Sequence, residues 1–475
     1  RCRRWSPSGE LLERELPDAI EPHQPLLDIQ SMEIGTGVAS LRLDFEGEVF
    51  EMEDQRNWTD TSFKVYCTPL GFTRPVRVET DEEISQSVDV SIRQMAQMVP
   101  VESRSVGVDL SKFERVRLPK LGTDLTYLSL DDDSKASLSI PDSVELLRID
   151  IDPEEPGWEA RLQKVGGIAV DQARKLWITL CVSADTPLSD VVDVIEPVSG
   201  SIDTIAITAN CDPWSTTEGM LSALTGIRKK MEGQWRIGAG TIAWFTQANR
   251  KPPESNQFDT VFFSATPQVH QFDDSAVMLH SAGLASIGAS ARRLWKGKPV
   301  HLGPVTLQPR FFAEPGVRAP GPTPLFEADP RLSGPIGTAW AAAALAALLR
   351  ARVEEVSLFE ATGPGGIDLP NLARLVELVW SSSRDVQIPS ISPHLPFSVA
   401  DGTVAGFSVA AAESDKLRRL FIVNRGHEAV PIVLTGYREL KRAFLIQRDG
   451  TTNGRKGVTS RFELLPFQLV VAEYI

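Results

Sequence analysis

The chain predicts a multidomain protein built round a (β/α)8 barrel, with a β-sandwich-like domain before the barrel and a small all-β domain after it. Three observations predict it. Eight apolar, β-branched runs recur with helical spacers between them, as in a parallel sheet buried on both faces. Ahead of them apolar residues alternate with period two, the mark of half-buried strands. Behind them the helical spacers stop, and short strand-like runs follow with Gly and Asn turns. At 475 residues the chain is too long for one ordinary domain. The patterns divide it at 1–117, 118–394 and 395–475.

In the first domain, residues 38–45, 63–66 and 76–78 alternate as strands, and the polar stretch 82–98 reads as a helix. The chain opens on Arg1 rather than Met, so this domain is expected to be incomplete. The barrel strands are expected at 125–130, 144–151, 175–182, 204–209, 236–244, 260–265, 299–307 and 353–359. No Gly-x-Gly-x-x-Gly turn follows the first of them and no Gly-Lys-Ser phosphate loop occurs, which ranks an open doubly wound sheet below the barrel. The last domain offers strands at 421–424, 430–433, 442–446 and 469–474.

Composition narrows the function. Hydrophobic content of 42% and charged content of 24% are those of a globular protein. A net charge of −14 argues against a nucleic-acid or anionic-membrane partner. Cys2, Cys67, Cys181 and Cys211 are scattered, without zinc-finger spacing or a disulfide framework. Free thiols, and an opening without a secretion-type apolar region, give a cytoplasmic expectation. The apolar stretch 339–349 is too short to span a bilayer. No His-x-His, His-Glu-x-x-His or Cys cluster appears, so no cofactor and no zinc are expected. Strand-end carboxylates leave Mg²⁺ or Ca²⁺ open.

Barrel active sites lie at the C-terminal ends of the strands. That rule turns the strands into a list of candidates. Strand two ends at Asp150 and Asp152; strand four at Asn210 and Asp212, near Trp214. Strand five leads to Trp244, Gln247, Asn249 and Arg250, strand six to Gln268 and His270. Strand seven ends at Thr306 and Gln308 before Arg310, and strand eight at Glu360 and Thr362. Glu360 follows an apolar run, where desolvation or a positive neighbour would tune it for acid–base work; it reads equally as an anchor of the eighth loop. His270, beside Asp273-Asp274, reads as a proton carrier or as a loop-orienting histidine. Asn249-Arg250 offers donors to a carbonyl or hydroxyl, or clamps a loop. Trp214 and Trp244 suit a sugar face or simple packing.

Residues 50–64 read Phe-Glu-Met-Glu-Asp-Gln-Arg-Asn-Trp-Thr-Asp-Thr-Ser-Phe-Lys. Acids, cations and amides stand between aromatic anchors, the composition of a site whose buried polar groups satisfy one another. An ionic network pinning a strand reads the same way.

That run resembles the D-apionate lactonase family, whose members carry a near-identical Glu-Met-Glu-Asp-Gln-Arg-Asn-Trp-Thr-Asp stretch ahead of a (β/α)8 barrel. The resemblance continues at Gly240-Thr241, Asn249-Arg250, Pro267-Gln268-Val269-His270, Phe272-Asp273-Asp274, Pro304-Val305-Thr306-Leu307 and Glu360-Ala361-Thr362-Gly363, over roughly residues 40 to 370. The chain departs from the family at Pro364-Gly365-Gly366, where a bulky or basic residue usually follows Gly363, and at Ala248, where Leu is usual. The resemblance implies hydrolysis of a lactone of apionate, in apiose catabolism. Position then casts Glu360 as base, His270 as acid, and Asn249 and Arg250 as oxyanion or substrate donors. Gln268, Asp152 and Asn210 are expected to bind substrate. Glu53, Asp54, Arg56 and Asn57 are expected to bind its hydroxyls or to hold the first domain against the barrel. The expected partner is a small sugar lactone. A glycoside hydrolase and a non-catalytic carbohydrate-binding protein are the alternatives. Many barrel glycosidases carry Asn-Glu after strand four, where this chain has Asn210-Cys211.

Overall fold

The computed structural model describes residues 2–35, 39–72, 75, 77–94, 106–109, 111, 113–128, 138–183, 186, 188–254, 256–314, 316–321, 323–380, 385–389, 407–413, 418–456 and 460–475. The boundary expected at 394–395, together with residues 38, 76, 95–98 and 129–130 of expected elements, lies outside them. Two compact units form: Arg1–Asn57 with Thr61–Ser103, and Trp58–Asp60 with Arg104–Ile475.

Among its described residues the first unit is built of strands, with the short 3-10 helix Gln55–Trp58 at its border with the second unit. Cys2–Trp5, Leu11–Arg14, Ser31–Gly35, Ala39–Glu46 and Ser87–Gln94 make a five-stranded sheet; Leu26–Ile29, Phe50–Asp54 and Phe63–Tyr66 make a second sheet. Leu26, Ile29, Met32, Phe45, Phe50 and Met52 share one core. The helix expected within 82–98 is instead the edge strand Ser87–Gln94, antiparallel to Ala39–Glu46. Val88, Val90 and Ile92 alternate with polar residues there, and period two outweighs the polar composition.

The second unit holds a closed barrel of eight parallel strands: Lys120–Asp124, Leu146–Ile151, Lys175–Val182, Ile202–Ala209, Arg236–Trp244, Thr260–Ala265, Val300–Val305 and Glu355–Glu360. The first strand lies before its expected run, so residues 125–128 are the loop above it. Local signals stop the helices where the strands need them. Thr217 accepts the Met220 N–H to cap Glu218–Lys230, whose last turn carries Arg228, Lys229 and Lys230 opposite the helix dipole. Asp273 caps Asp274–His280 through the N–H groups of Ser275 and Ala276, which hold its carboxyl below the usual range against a smaller effect of burial. The Ala-rich helix Pro335–Ala351 is buried along nearly its whole length, as a helix apolar on every side must be. Among the described residues no helix is long and apolar enough to cross a membrane.

The C-terminal strands form all-β sheets. Arg418–Asn424 pairs with Phe407–Glu413 and with Leu469–Tyr474, which pairs in turn with Leu440–Ile446. Two strands from before the barrel join them. Phe113–Arg117 pairs with Asp385–Pro389, and Val106–Asp109 runs parallel to Val430–Thr435.

Candidate active site at the barrel mouth

Two strands bulge where the site is built. In the fifth, Gly240 pairs with Phe262 and Trp244 with Ser264, so four steps face two. Gly240 has φ of 154°, and a Cβ there would lie 1.9 Å from the Phe262 carbonyl oxygen; no other residue fits. In the eighth, Ser357 pairs with Gly122 and Glu360 with Asp124, three steps against two. Phe359 takes up the extra residue at φ of 57° and packs on Trp340, ring centres 5.9 Å apart. The bulge sets Glu360 beside Asp124.

Below Glu360 lies an ionic cluster. Arg148 donates from Nε and Nη2 to Asp150 Oδ1 at 3.1 and 2.8 Å, and from Nη1 to the Gly303 carbonyl at 2.7 Å. Arg310 Nη1 donates to Asp150 Oδ2 at 2.8 Å, while its Nη2 lies 3.5 Å from Asp124 Oδ1 and its Nε 4.0 Å from Glu360 Oε1. The Arg310 guanidinium also covers the Tyr127 ring at 5.0 Å. Burial works to raise the Asp150 carboxyl, but Arg148 and Arg310 outweigh it and hold it below its ordinary value. Burial pushes Asp124 up despite Arg310. Burial, then the charge of Asp124, raises Glu360 well above the usual range, against Arg310. Burial takes the Tyr127 phenol up to about 12.

The Glu360 side chain keeps 17% of its surface open. Its N–H donates to the Gly365 carbonyl at 3.1 Å, and its carbonyl accepts from Ile367 at 2.7 Å, so the Gly-rich loop folds back on the strand end. A Cβ on Gly365 would come within 3.2 Å of Gln308 Nε2 and 3.7 Å of Glu360 Cγ. Arg310 Nε and Asp124 Oδ2 are buried with no hydrogen-bond partner. The mouth therefore combines a carboxyl of raised pKa, on a partly exposed side chain, with a buried N–H donor that has no hydrogen-bond partner.

Asp152 is wholly buried and fully engaged. It accepts from Asn210 Nδ2 at 2.8 Å, from Arg318 at 2.7 and 2.9 Å, and from the Glu154 N–H at 2.9 Å. Asp212 is exposed, while Trp214 packs on Phe311 and Trp244 on Phe312. Thr306 donates to the Gln308 carbonyl.

A second group stands after strands five and six. His270 Nδ1 is 2.5 Å from Asp60 Oδ2, and Asp60 Oδ1 is 3.3 Å from His280 Nδ1, which also meets the Pro267 carbonyl at 2.9 Å. The His270 side chain is 36% exposed. Trp58 meets its ring edge-on at 5.8 Å and lies under the Arg250 guanidinium at 4.9 Å. Asn249 is buried in the short helix Phe245–Arg250, and Arg250 is exposed. Gln268 spends its amide on protein: Nε2 donates to the Leu307 carbonyl and Asp329, and Oε1 accepts from Arg331.

Asp54, Arg56 and Asn57 lie in the first unit and form a buried knot. Arg56 clasps Asp54 through Nε and Nη2 at 2.8 and 2.7 Å and donates to the carbonyls of Asp18 and Pro17 at 3.1 and 2.7 Å. Asn57 Nδ2 donates to the carbonyls of Glu21 and Asp54. Glu53, half-buried, pairs across the strands with Lys64. Among the named candidates, the structure brings Glu360, Asp150 and Arg310 together. It groups His270 with Arg250 separately, and Asp152 with Asn210.

Sequence reasoning missed Asp124, Tyr127, Asp60 and Arg318. Asp124 and Tyr127 were hidden by the misplaced first strand. Asp60 stood in plain view as the last acid of the 50–64 run. A separate cavity, lined by Lys120, Arg236, Arg352 and Glu355, lies where the strands begin. Its Arg236–Glu355 ion pair at 2.7 Å belongs to the floor of the barrel, where charge serves stability. Among the described residues no group of three or more His, Cys, Asp or Glu is placed to hold a metal ion.

Comparison with known proteins agrees with this architecture. The D-apionate lactonase N-terminal domain matches residues 3–95, and the D-apionate lactonase TIM barrel domain matches residues 134–374. A D-apionate lactonase of Brucella anthropi is 26% identical over 388 residues, covering 76% of this chain; the chain spans 62% of that relative's length. A solved family 51 alpha-L-arabinofuranosidase from Bifidobacterium longum shares the fold, with a TM-score of 0.50 at 11% identity, over 78% of this chain and 99% of the other. A family 30 xylanase from Clostridium acetobutylicum gives a TM-score of 0.44 at 10% identity, over 78% and 99%.

Proposed function

The chain belongs to the D-apionate lactonase family, and from that premise we propose that it hydrolyses the ring ester of a sugar-acid lactone, D-apionolactone or a close relative. The product is the open aldonate, made in the catabolism of apiose or a similar sugar. One observation carries the reading: the raised Glu360 carboxyl, on a side chain 17% exposed, stands 4.0 Å from a buried Arg310 N–H that has no hydrogen-bond partner.

Glu360 acts as general base. It takes a proton from water as the water oxygen bonds to the lactone carbonyl carbon. The carbonyl oxygen becomes an oxyanion and accepts from Arg310 Nε–H, a donor fixed in advance by Asp150 and Asp124. Collapse breaks the acyl–oxygen bond. His270, held at Nδ1 by Asp60, gives a proton from its other nitrogen to the departing ring oxygen. Arg310 is preferred to Arg250 for the oxyanion because Arg250 is exposed and lies on Trp58. Asn249 and Arg250 serve as rim contacts to substrate hydroxyls. Asp152, Asn210 and Gln268 shape the mouth through the bonds they already make. Asp54, Arg56 and Asn57, with Glu53 beside them, act through the stability of the first unit. With its four cysteines free, the protein fits a reducing compartment, and we place it in the cytoplasm.

Acid release from a panel of aldonolactones, followed by pH-stat beside aryl glycosides, tests the reading. Lactone hydrolysis without glycoside turnover is expected. Glycoside turnover with no lactone hydrolysis would overturn it and favour the glycosidase reading.

A further inference from the structure

The helix Trp158–Asp171 follows the second barrel strand and turns Trp158, Leu162, Val165 and Ala169 inward, the 3.6-residue stripe of a packed helix. Arg161 stands on the same stripe, in the turn nearest the barrel mouth. It is 5% exposed, and its Nε, Nη1 and Nη2 are all buried without a hydrogen-bond partner. The other two guanidiniums buried at the mouth, Arg148 and Arg310, are both bonded to carboxylates. Among the described residues Arg161 is bonded to none.

Its surroundings point to the mouth. Burial weighs most on its charge, and the ionisable side chains around it are Glu155, Asp152 and the phenol of Tyr127, which keeps its proton. Asp152 is saturated by Arg318, Asn210 and the Glu154 N–H. Tyr127 lies under the Arg310 guanidinium that flanks Glu360. A guanidinium keeps its proton in a protein, so burying it unpaired is strongly unfavourable until an anion arrives. The planar fork of an arginine matches a carboxylate with two parallel N–H···O bonds.

We propose that Arg161 is a carboxylate-binding residue, and that the carboxylate it receives is the one the opened lactone carries. The lactone is neutral; water addition and ring opening give a hydroxy acid, which leaves as its anion with one proton released. A buried guanidinium with no hydrogen-bonded protein carboxylate therefore discriminates product from substrate. The site itself stands on the geometry of Arg161, and only the identity of its carboxylate rests on the lactonase reading.

The experiment is titration calorimetry of the full chain and of Arg161→Met with D-apionate, with acetate as a carboxylate lacking hydroxyls and apiitol as a polyol lacking the carboxylate. D-Apionate is expected to bind the wild type and to weaken by at least about tenfold in Arg161→Met, the scale of a lost charge-assisted hydrogen bond. Acetate should compete with it and apiitol should not. Arg161→Met should melt no lower than the wild type, because it removes an unpaired buried charge. Equal D-apionate affinity in both proteins, or a lower melting temperature with unchanged affinity, would overturn the proposal and mark Arg161 as a structural charge. So would failure of both carboxylates to bind the wild type. Acetate binding that depends on Arg161, in a protein that opens no lactone, would retain the anion site and discard the lactonase reading.

Discussion

Replacing Glu360 with Gln separates catalysis from structure. The amide keeps the size and hydrogen-bonding capacity of the carboxyl but cannot take a proton from water. Loss of a general base lowers rate by about 10²–10⁴, and that fall is expected in kcat for lactone opening. Stability should move the other way. Burial and Asp124 raise the folded-state pKa of Glu360 above its unfolded value, which is about 4.3. Above about pH 4.3 the unfolded chain therefore gives up this proton while the folded chain still holds it. Wild-type stability falls as pH rises from there to the folded-state pKa, by about 1.4 kcal/mol for each unit separating the two values. Glu360→Gln removes that loss, so its melting temperature at neutral pH should equal or exceed the wild type's. The assay is acid release under saturating lactone, beside calorimetric melting from about pH 4 to 8, a range that brackets an ordinary carboxyl and a raised one. Unchanged kcat would refute the assignment and pass the role of base to another mouth carboxylate. A fall in both kcat and melting temperature would mean that Glu360 holds the 363–366 loop, whose backbone bonds to the strand end at 3.1 and 2.7 Å.

Two further outcomes are expected. Asp124→Asn removes the neighbouring charge that raises Glu360, so the acid limb of kcat/KM against pH should shift to lower pH; a limb that stays in place would show that another group titrates. Arg56→Ala leaves Asp54 buried without its bidentate partner and should cost the first unit about 3–5 kcal/mol; an unchanged melting temperature would mean that the guanidinium is solvated in solution.

The barrel was legible because its strands are buried on both faces and read as unbroken apolar runs. Three of them, Lys175–Val182, Arg236–Trp244 and Thr260–Ala265, have the bounds that the sequence suggested. The first strand was not legible, since Lys120–Asp124 is short and polar and the more apolar stretch after it is a loop. That slip concealed Asp124, and with it the reason for the raised pKa of Glu360. The strand-end rule placed Glu360 at the mouth without revealing the bulge at Phe359, because a register shift depends on the partner strand and leaves no local mark. The 50–64 run announced buried, mutually satisfied polar groups. Its composition did not say where the run divides: Asp54, Arg56 and Asn57 bond within the first unit, while Asp60 belongs to the second and pairs with His270. Arg161 was not singled out in the sequence; its place on the buried stripe of its helix emerged with the structure.

Charge balance ties these residues to one chemistry. Asp124, Asp150 and Glu360 face Arg148 and Arg310, three carboxyls against two guanidiniums, at a site almost closed to water. With every group ionised the cluster carries one negative charge too many for a medium that screens poorly. That excess favours the neutral form of a carboxyl and so raises its pKa. The carboxyl so raised is not Asp150, which both guanidiniums bond directly. Asp124 and Glu360 share the deficit, and both are raised. Of the two, Asp124 is fully buried, while the Glu360 side chain keeps 17% of its surface exposed. A base of raised pKa in this barrel thus follows from the count of charges, with no special property asked of the glutamate itself. Arg161, outside this cluster, has no hydrogen-bonded carboxylate of its own. Ring opening turns a neutral lactone into a charged aldonate, and that one added negative charge is what ties the lactonase reading to the Arg161 site.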